Sequence, residues 1–432
     1  MIVATIIFSI INFWNLSKGK PVFDDYDTPS YFELSLYPSF RMQIVTLIYS
    51  TLGSHYLIIG FQVLISVLAF IYLATQIKKL VESKVIGYIS VVLIYILASS
   101  SVVTEQNFIL RSESLNNSAF IFLFGTLFGY TRHRNFSNFS KVLLAIVILA
   151  GTRAVSSLSG LIFLILFFIL FNRQKMLERK YLLMGIGAIA LNVFFVFTAT
   201  STETSRIYTT SSIINERLWV NPDWRDEVVN SGYSIQSRYV WEESRNANMG
   251  LPPDQAVIDS VQFKQWWNKG NENFLYEFMV RNLDYTLIGP ACLPCLYDEF
   301  TFRQTIFSGW SQGTDEVRNN ISLQNVLTTK TFFWPERPEY AYFVVLIFFL
   351  LLIVICIMII WRFNQENIDI LKIISLFLSY ILSYSYVSWW LGSKENDMTR
   401  HQLNSAIGIR VLIIFVAILI TDKLIKKVRP KP

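Results

Sequence analysis

The sequence is poor in charge, glycine and cysteine. Only 16% of its 432 residues are charged, against about 25% in a soluble domain. This excludes a soluble globular enzyme and a charge-rich disordered chain. Three Cys and three His are too few for a disulfide framework, and a zinc site at Cys292 and Cys295 would need two further ligands. That C-L-P-C pair reads as a local disulfide or as two inert thiols, and Cys356 as a small buried hydrophobe. With 18 Gly and 12 Pro the chain is not collagen-like. Neither an internal repeat nor a low-complexity linker is evident. The apolar runs are continuous rather than alternating, which argues against a transmembrane barrel.

Apolar mass is what the chain has in quantity. Hydrophobic residues make up 53%, with 35 Phe and 11 Trp, and the mean hydropathy is +0.42. A span needs about 20 mostly apolar residues. Ten stretches qualify, at approximately 1–16, 56–77, 85–104, 115–131, 141–156, 157–172, 181–199, 340–361, 370–391 and 404–421. The expectation is an all-α polytopic membrane protein of about ten transmembrane helices. The first run has no basic leader or small-residue cleavage site and reads as an anchor. The fifth and sixth runs are separated only by Gly151-Thr152-Arg153. They read either as two helices meeting at a tight turn or as one kinked element.

Charge supports the count of ten. With the first residue inside, inner segments carry 17 basic residues and short outer segments eight, the positive-inside bias. Residues 200–339 hold 12 basic against 18 acidic residues, whereas the rest of the chain holds 25 against 13. The expected organisation is a transmembrane module over 1–199, an extracytoplasmic domain of mixed structure over 200–339 between spans seven and eight, and C-terminal spans over 340–432. The outer segment is rich in Trp, including Trp219, Trp224, Trp241, Trp266, Trp267, Trp310 and Trp334. Their faces suit either stacking on sugar rings or a domain core.

Four groups of ionisable residues border the outer ends of spans, where charge is costly and marks function. Asp24, Asp25 and Asp27 lie within four residues of one another, so they repel or share a cation. Glu105 and Glu113 flank Arg111, and Glu113 opens an apolar helix, where the macrodipole favours a carboxylate. Arg153 has no acid near it in sequence. It invites a phosphate, which its guanidinium matches bidentately, or an ion pair with one of the other groups' acids. Arg400 and His401 lead into the last span, with Arg410 deeper. Two acidic and two basic groups on one membrane face suit a reaction on a lipid phosphate: cations hold the leaving group and a carboxylate takes a hydroxyl proton.

The order of these features resembles the GT-C superfamily of membrane glycosyltransferases, which use sugars carried on polyprenyl phosphates. Asp27-Thr28-Pro29-Ser30-Tyr31 fits the family's D-x-x-x-Y after the first span. Tyr37-Pro38-Ser39-Phe40-Arg41 and the stretch 42–53 look like the Pro-containing amphipathic segment that follows. Glu113-Ser114-Leu115 is similar to the second acidic motif, Arg153 to the basic residue among small residues near spans five and six, and Arg400-His401 to the late R-[HY] pair. The likeness covers residues 1–200 in feature order and the last 40 loosely.

The resemblance implies an N-terminal bundle of about seven helices and inverting sugar transfer to an acceptor hydroxyl on a glycan, lipid or protein. Asp27 would be the general base, with Asp24, Asp25 and Glu113 as further catalytic carboxylates. Arg41, Arg153, Arg400 and His401 would hold the lipid phosphate, and Tyr31 and Glu105 would make secondary substrate contacts. It implies no certain cofactor, a divalent cation at Asp24, Asp25 and Asp27 being the one candidate. The expected location is a bacterial inner membrane, with the active face periplasmic or extracellular. Two other readings fit the composition: a surface-polysaccharide polymerase or ligase, and a transporter or lipid flippase, although helices broken by Gly and Pro are scarce here.

Overall fold

The computed structural model describes residues 1–19, 21, 31–32, 42–172, 178–200, 203–246, 253–288, 365–391 and 403–428. Among them the chain is helical, with no strand. Four helices are long and apolar enough to cross a membrane, at His55–Leu80, Ala154–Phe171, Arg179–Thr198 and Lys372–Trp390. The molecule is a helical membrane protein.

Its first body contains α1 (Ile2–Lys18), α2 (Gln43–Leu52), α3 (His55–Leu80), α4 (Lys84–Ala98), α5 (Ser101–Gln106), α6 (Glu113–Arg132), α7 (Phe136–Ala150), α8 (Ala154–Phe167) and α9 (Arg179–Thr200). These sequences form helices because their apolar runs satisfy every backbone group within the segment, as a membrane interior requires. Caps set several of the boundaries. Ser83 opens α4 by accepting from the Ile86 amide, and Asn135 opens α7 by accepting from the Asn138 amide. The third apolar run is therefore shorter than expected and gives way to α5 after Ser99–Ser100. The fifth and sixth runs are two separate helices that meet at Gly151–Arg153. The break lies about five residues before the 156/157 boundary read from hydropathy, because the turn follows the small and polar residues.

A second body follows: α10 (Glu203–Ile213), α11 (Pro222–Asn230), α12 (Ile235–Asn246), α13 (Pro253–Asp259), α14 (Val261–Asn268) and α15 (Phe274–Arg281). The expectation of mixed structure in the outer segment is corrected, since the described residues there are helix and turn. Trp241, Trp266 and Trp267 are buried in this body's own core, with Trp219 and Trp224 packed against it. Core packing, not a sugar-stacking platform, accounts for the three buried rings. Trp310, Trp334 and all three Cys lie outside the described residues, as does the expected span at 340–361.

The last two helices, α16 (Gln365–Leu391) and α17 (Leu403–Val428), return to the first body. Phe377 stacks on Phe124 and Tyr380 on Phe120. Close approach relies on small residues, as is usual between membrane helices. A Cβ on Gly408 of α17 would stand 2.8 Å from the Phe120 ring, and one on Gly125 of α6 would stand 2.6 Å from the Tyr72 ring.

Contacts at the helix ends give the bundle two distinct poles. At the basic pole Arg134 pairs with Asp369, and Lys78 reaches Met1. There too Asp422, on α17, accepts from the amides of Glu82 at 3.1 Å and Ser83 at 2.9 Å, which precede α4. At the far pole are the start of α6, the α7–α8 turn, α2 and the second body. The second body is fastened to the far end of α16. Arg217 donates to the Trp389 carbonyl and to the Tyr285 hydroxyl, and stacks over the Trp389 ring. The indoles of Trp389 and Trp390 donate to the carbonyls of Tyr285 at 3.1 Å and Thr286 at 3.0 Å. Arg217 thus meets a carbonyl of the last turn of α16, where a helix lacks its own donors and favours a cation. Burial pushes the Tyr285 hydroxyl above its ordinary pKa, while the neighbouring Arg217 pulls it down.

Two substitutions test this packing. Asp422→Ala should cost about 1–2 kcal/mol, the usual penalty for losing a capping carboxylate, read as a lower midpoint in a detergent denaturation series. Gly125→Val should cost about 1–3 kcal/mol by overpacking against Tyr72, in the same measurement.

Candidate functional site

The site lies at the far pole, where α6 and α8 begin. Glu113 is the first residue of α6, and Arg153 precedes α8 in extended conformation. The α7–α8 turn thus aims a guanidinium at a helix N-terminus that already favours the carboxylate. Arg153 Nη2 stands 3.4 Å from Glu113 Oε1. Glu113 is 4% and Arg153 8% exposed. At that separation the pair is longer than a tight charge-assisted hydrogen bond of about 2.7–2.9 Å. It is a charge contact without the close bidentate fork.

Neutral polar groups surround the pair. One turn into α6, Asn116 donates to Thr152 Oγ1 at 2.8 Å and to Ser156 Oγ at 2.6 Å. The Thr152 hydroxyl in turn donates to the Leu149 carbonyl at 2.7 Å. Ser156 also accepts from the Tyr380 hydroxyl at 3.4 Å. Tyr384, one turn beyond Tyr380 on α16, is fully buried. Its hydroxyl lies beside Arg153, Glu113 and Ser156.

Aromatic groups close the top. Tyr31 donates to Ser112 Oγ at 3.4 Å, and Ser112 donates to Glu113 Oε2 at 3.5 Å. Tyr31 also packs against Tyr49 of α2. Tyr49 donates to the Arg111 carbonyl at 2.7 Å, and Gln62 of α3 donates to both the Tyr49 hydroxyl and that same carbonyl. The α2 helix is held over the α7–α8 turn by the Ile44 amide, which donates to the Gly151 carbonyl at 3.3 Å.

The structure brings together three of the residues predicted from sequence: Glu113, Arg153 and Tyr31. Glu105 is half-buried on α5, whose end leads toward α6. Arg410 is buried in α17. Asp24, Asp25, Asp27, Arg41, Arg400 and His401 lie outside the described residues. Among the described residues no group of three or more His, Cys, Asp or Glu is placed to hold a metal ion, and the Asp24–Asp27 cluster is not among them.

Sequence reading missed Asn116, Thr152, Ser156, Tyr380 and Tyr384. The available signal was spacing, since Tyr380 and Tyr384 are four apart and so share a helix face; Thr152, in the α7–α8 turn, gave none. The chain matches no family model, no curated protein and no solved structure.

The pair has a stability signature of its own. Removing one member of a buried ion pair strands the other charge, at about 3–5 kcal/mol, whereas replacing both with apolar residues is often neutral. Arg153→Met should therefore destabilise by about that amount. Glu113→Leu combined with Arg153→Met should recover most of the loss, in an equilibrium SDS titration.

Proposed function

We propose that the chain is a multi-pass membrane glycosyltransferase of the GT-C kind. It moves a sugar from a polyprenyl-phosphate donor to an acceptor hydroxyl on the face of the membrane away from the cytosol. In this reading the expected span at 340–361 completes a set of ten, and the positive-inside bias turns the basic pole to the cytosol. The far pole then faces the periplasm or cell exterior of a bacterium.

One observation carries the reading. A carboxylate and a guanidinium, 3.4 Å apart, are buried together at the far pole beneath tyrosines and amid neutral hydrogen-bonding groups. A bundle that needed only to be inserted would avoid the cost of burying them. The spacing leaves the guanidinium able to exchange a monodentate carboxylate for a phosphate, which it can grip with two parallel N–H bonds. Tyr384 supplies a neutral hydroxyl donor for the phosphate oxygens. The position of the pair at a helix start, not midway along the bundle, favours chemistry at the interface over passage through the membrane.

The reaction follows from the resemblance. Asp27 takes the proton of the acceptor hydroxyl as the oxygen attacks the anomeric carbon. The bond from that carbon to the phosphate oxygen breaks with inversion, and polyprenyl phosphate leaves as an anion. Arg153, with Arg41, Arg400 and His401, stabilises the charge that develops there. Glu113 holds Arg153 before the donor arrives and orients the acceptor afterwards. A divalent cation at Asp24, Asp25 and Asp27 would add further phosphate charge compensation.

The test is purified protein in liposomes with a panel of polyprenyl-phosphate sugars and an acceptor extract, read as release of lipid phosphate. Release is expected with one donor class. Asp27→Asn should abolish it while leaving membrane insertion intact, and Arg153→Met should reduce it by 100-fold or more, about 2.7 kcal/mol. Near-normal release from Asp27→Asn would remove that residue from the mechanism. Failure of every donor to react would overturn the transferase reading.

A further inference from the structure

The joint between the second body and α16 holds a buried cation that sugar transfer does not use. Arg217 is 5% exposed. Its Nη1 donates to the Trp389 carbonyl and, at 3.4 Å, to the Tyr285 hydroxyl, and the guanidinium carbon lies 4.3 Å from the centre of the Trp389 ring. Among the described residues, Nε and Nη2 are buried without a hydrogen-bond partner, and no carboxylate pairs with them. The ion pairs described within the second body join other cations: Arg238 to Glu242, Lys264 to Asp259 and Arg281 to Glu227. Arg217 and Tyr285 each sit on a π-helical turn, Ile214–Leu218 and Asp284–Ile288. Such turns are rare and are found frequently at functional sites.

The unused donors are the informative ones. Nε–H and Nη2–H point the same way along one edge of the guanidinium, the edge that grips an oxyanion with two parallel bonds. Buried polar groups are nearly always hydrogen-bonded, and a buried charge calls for a counter-charge. Water would satisfy the two donors but leave the charge uncompensated, whereas an oxyanion does both. Trp389 lies at the end of the span Lys372–Trp390, and an indole there sits at headgroup level, where phosphate groups are concentrated. The position is separate from the Glu113–Arg153 pair. From Tyr384, beside that pair, to Trp389 the helix turns by about 140° and rises about 7.5 Å.

We propose that Arg217 is a phosphate-binding residue, whose Nε–Nη2 edge takes one phosphate group at the joint between the second body and α16. The Trp389 ring and carbonyl and the Tyr285 hydroxyl fix the direction of the fork. The phosphate is that of a phospholipid headgroup or free phosphate, the chemistry at the guanidinium being the same. This inference needs the membrane span but not the transferase reading.

The test uses the full chain in maltoside detergent, freed of phospholipid, with two probes: inorganic phosphate and a short-chain phosphatidic acid. The matching uncharged diacylglycerol is the control. Binding is measured by calorimetry in the Glu113→Leu, Arg153→Met background, which removes the anion site proposed at the buried pair. If that background does not fold, Arg217→Lys is compared with the unaltered chain. Saturable binding is expected, and Arg217→Lys, which keeps the charge but loses the fork, should weaken it at least tenfold. Tyr285→Phe loosens the joint but leaves the Nε–Nη2 edge, and should change binding less than threefold. Binding of both probes identifies free phosphate as a ligand, and binding of phosphatidic acid alone identifies a lipid headgroup. Binding of neither probe, or undiminished binding by Arg217→Lys, overturns the proposal. Equal losses in Arg217→Lys and Tyr285→Phe would make Arg217 a fastener of the joint only, and overturn it as well.

Discussion

Burying a carboxylate and a guanidinium in an apolar bundle is tolerable only if each group around them is already in place, and much of this fold follows from that requirement. Glu113 has to head a helix, because the N-terminal dipole is one of the few stabilising features available to a buried carboxylate. Arg153 has to emerge from a turn short enough to hold its backbone against that helix, which three residues between α7 and α8 achieve. Asn116, Thr152 and Ser156 stand beside them in sequence and are joined by the two hydrogen bonds that Asn116 donates. The hydroxyls of Tyr380 and Tyr384 then come from α16, more than 220 residues further along the chain. A charged pair therefore decides which helices neighbour one another.

The same helix serves two masters. On α16, Tyr384 reaches the pair, and Trp389, five residues later, holds the second body. Five helical residues rise about 7.5 Å, too short a length for a helix to bend appreciably. The buried pair and the second body share one helix, and the face of α16 that carries Tyr384 also packs through Phe377 and Tyr380 against α6.

The bundle was largely legible in sequence because a membrane interior permits so few solutions. Long apolar runs have to be helices, and basic residues mark one end of each. Glu113 and Arg153 were legible as expensive charges, and an ion pair between Arg153 and a nearby acid was one of the two readings open to it. Helix ends were less legible: hydropathy cannot see that Ser99 and Ser100 end α4, or that Gly151 rather than residue 156 closes α7. The neutral groups beside the pair were hidden for another reason. Asn116 or Tyr384 in an apolar run gives no charge signal, and pairing Tyr380 with Ser156 requires knowing that α16 returns to α8. The tryptophans of the second body could not be told apart by composition, since a core ring and a binding platform use the same residue.

Asp422 has a consequence for biogenesis. Its carboxylate completes the start of a helix that left the ribosome 339 residues earlier. Until that last segment is inserted, the amides of Glu82 and Ser83 have only water or lipid headgroups to bind. The α3–α4 connection therefore lacks this contact through nearly the whole of synthesis. A chain truncated before its final helix would insert yet remain unlatched, a state that quality-control proteases can recognise.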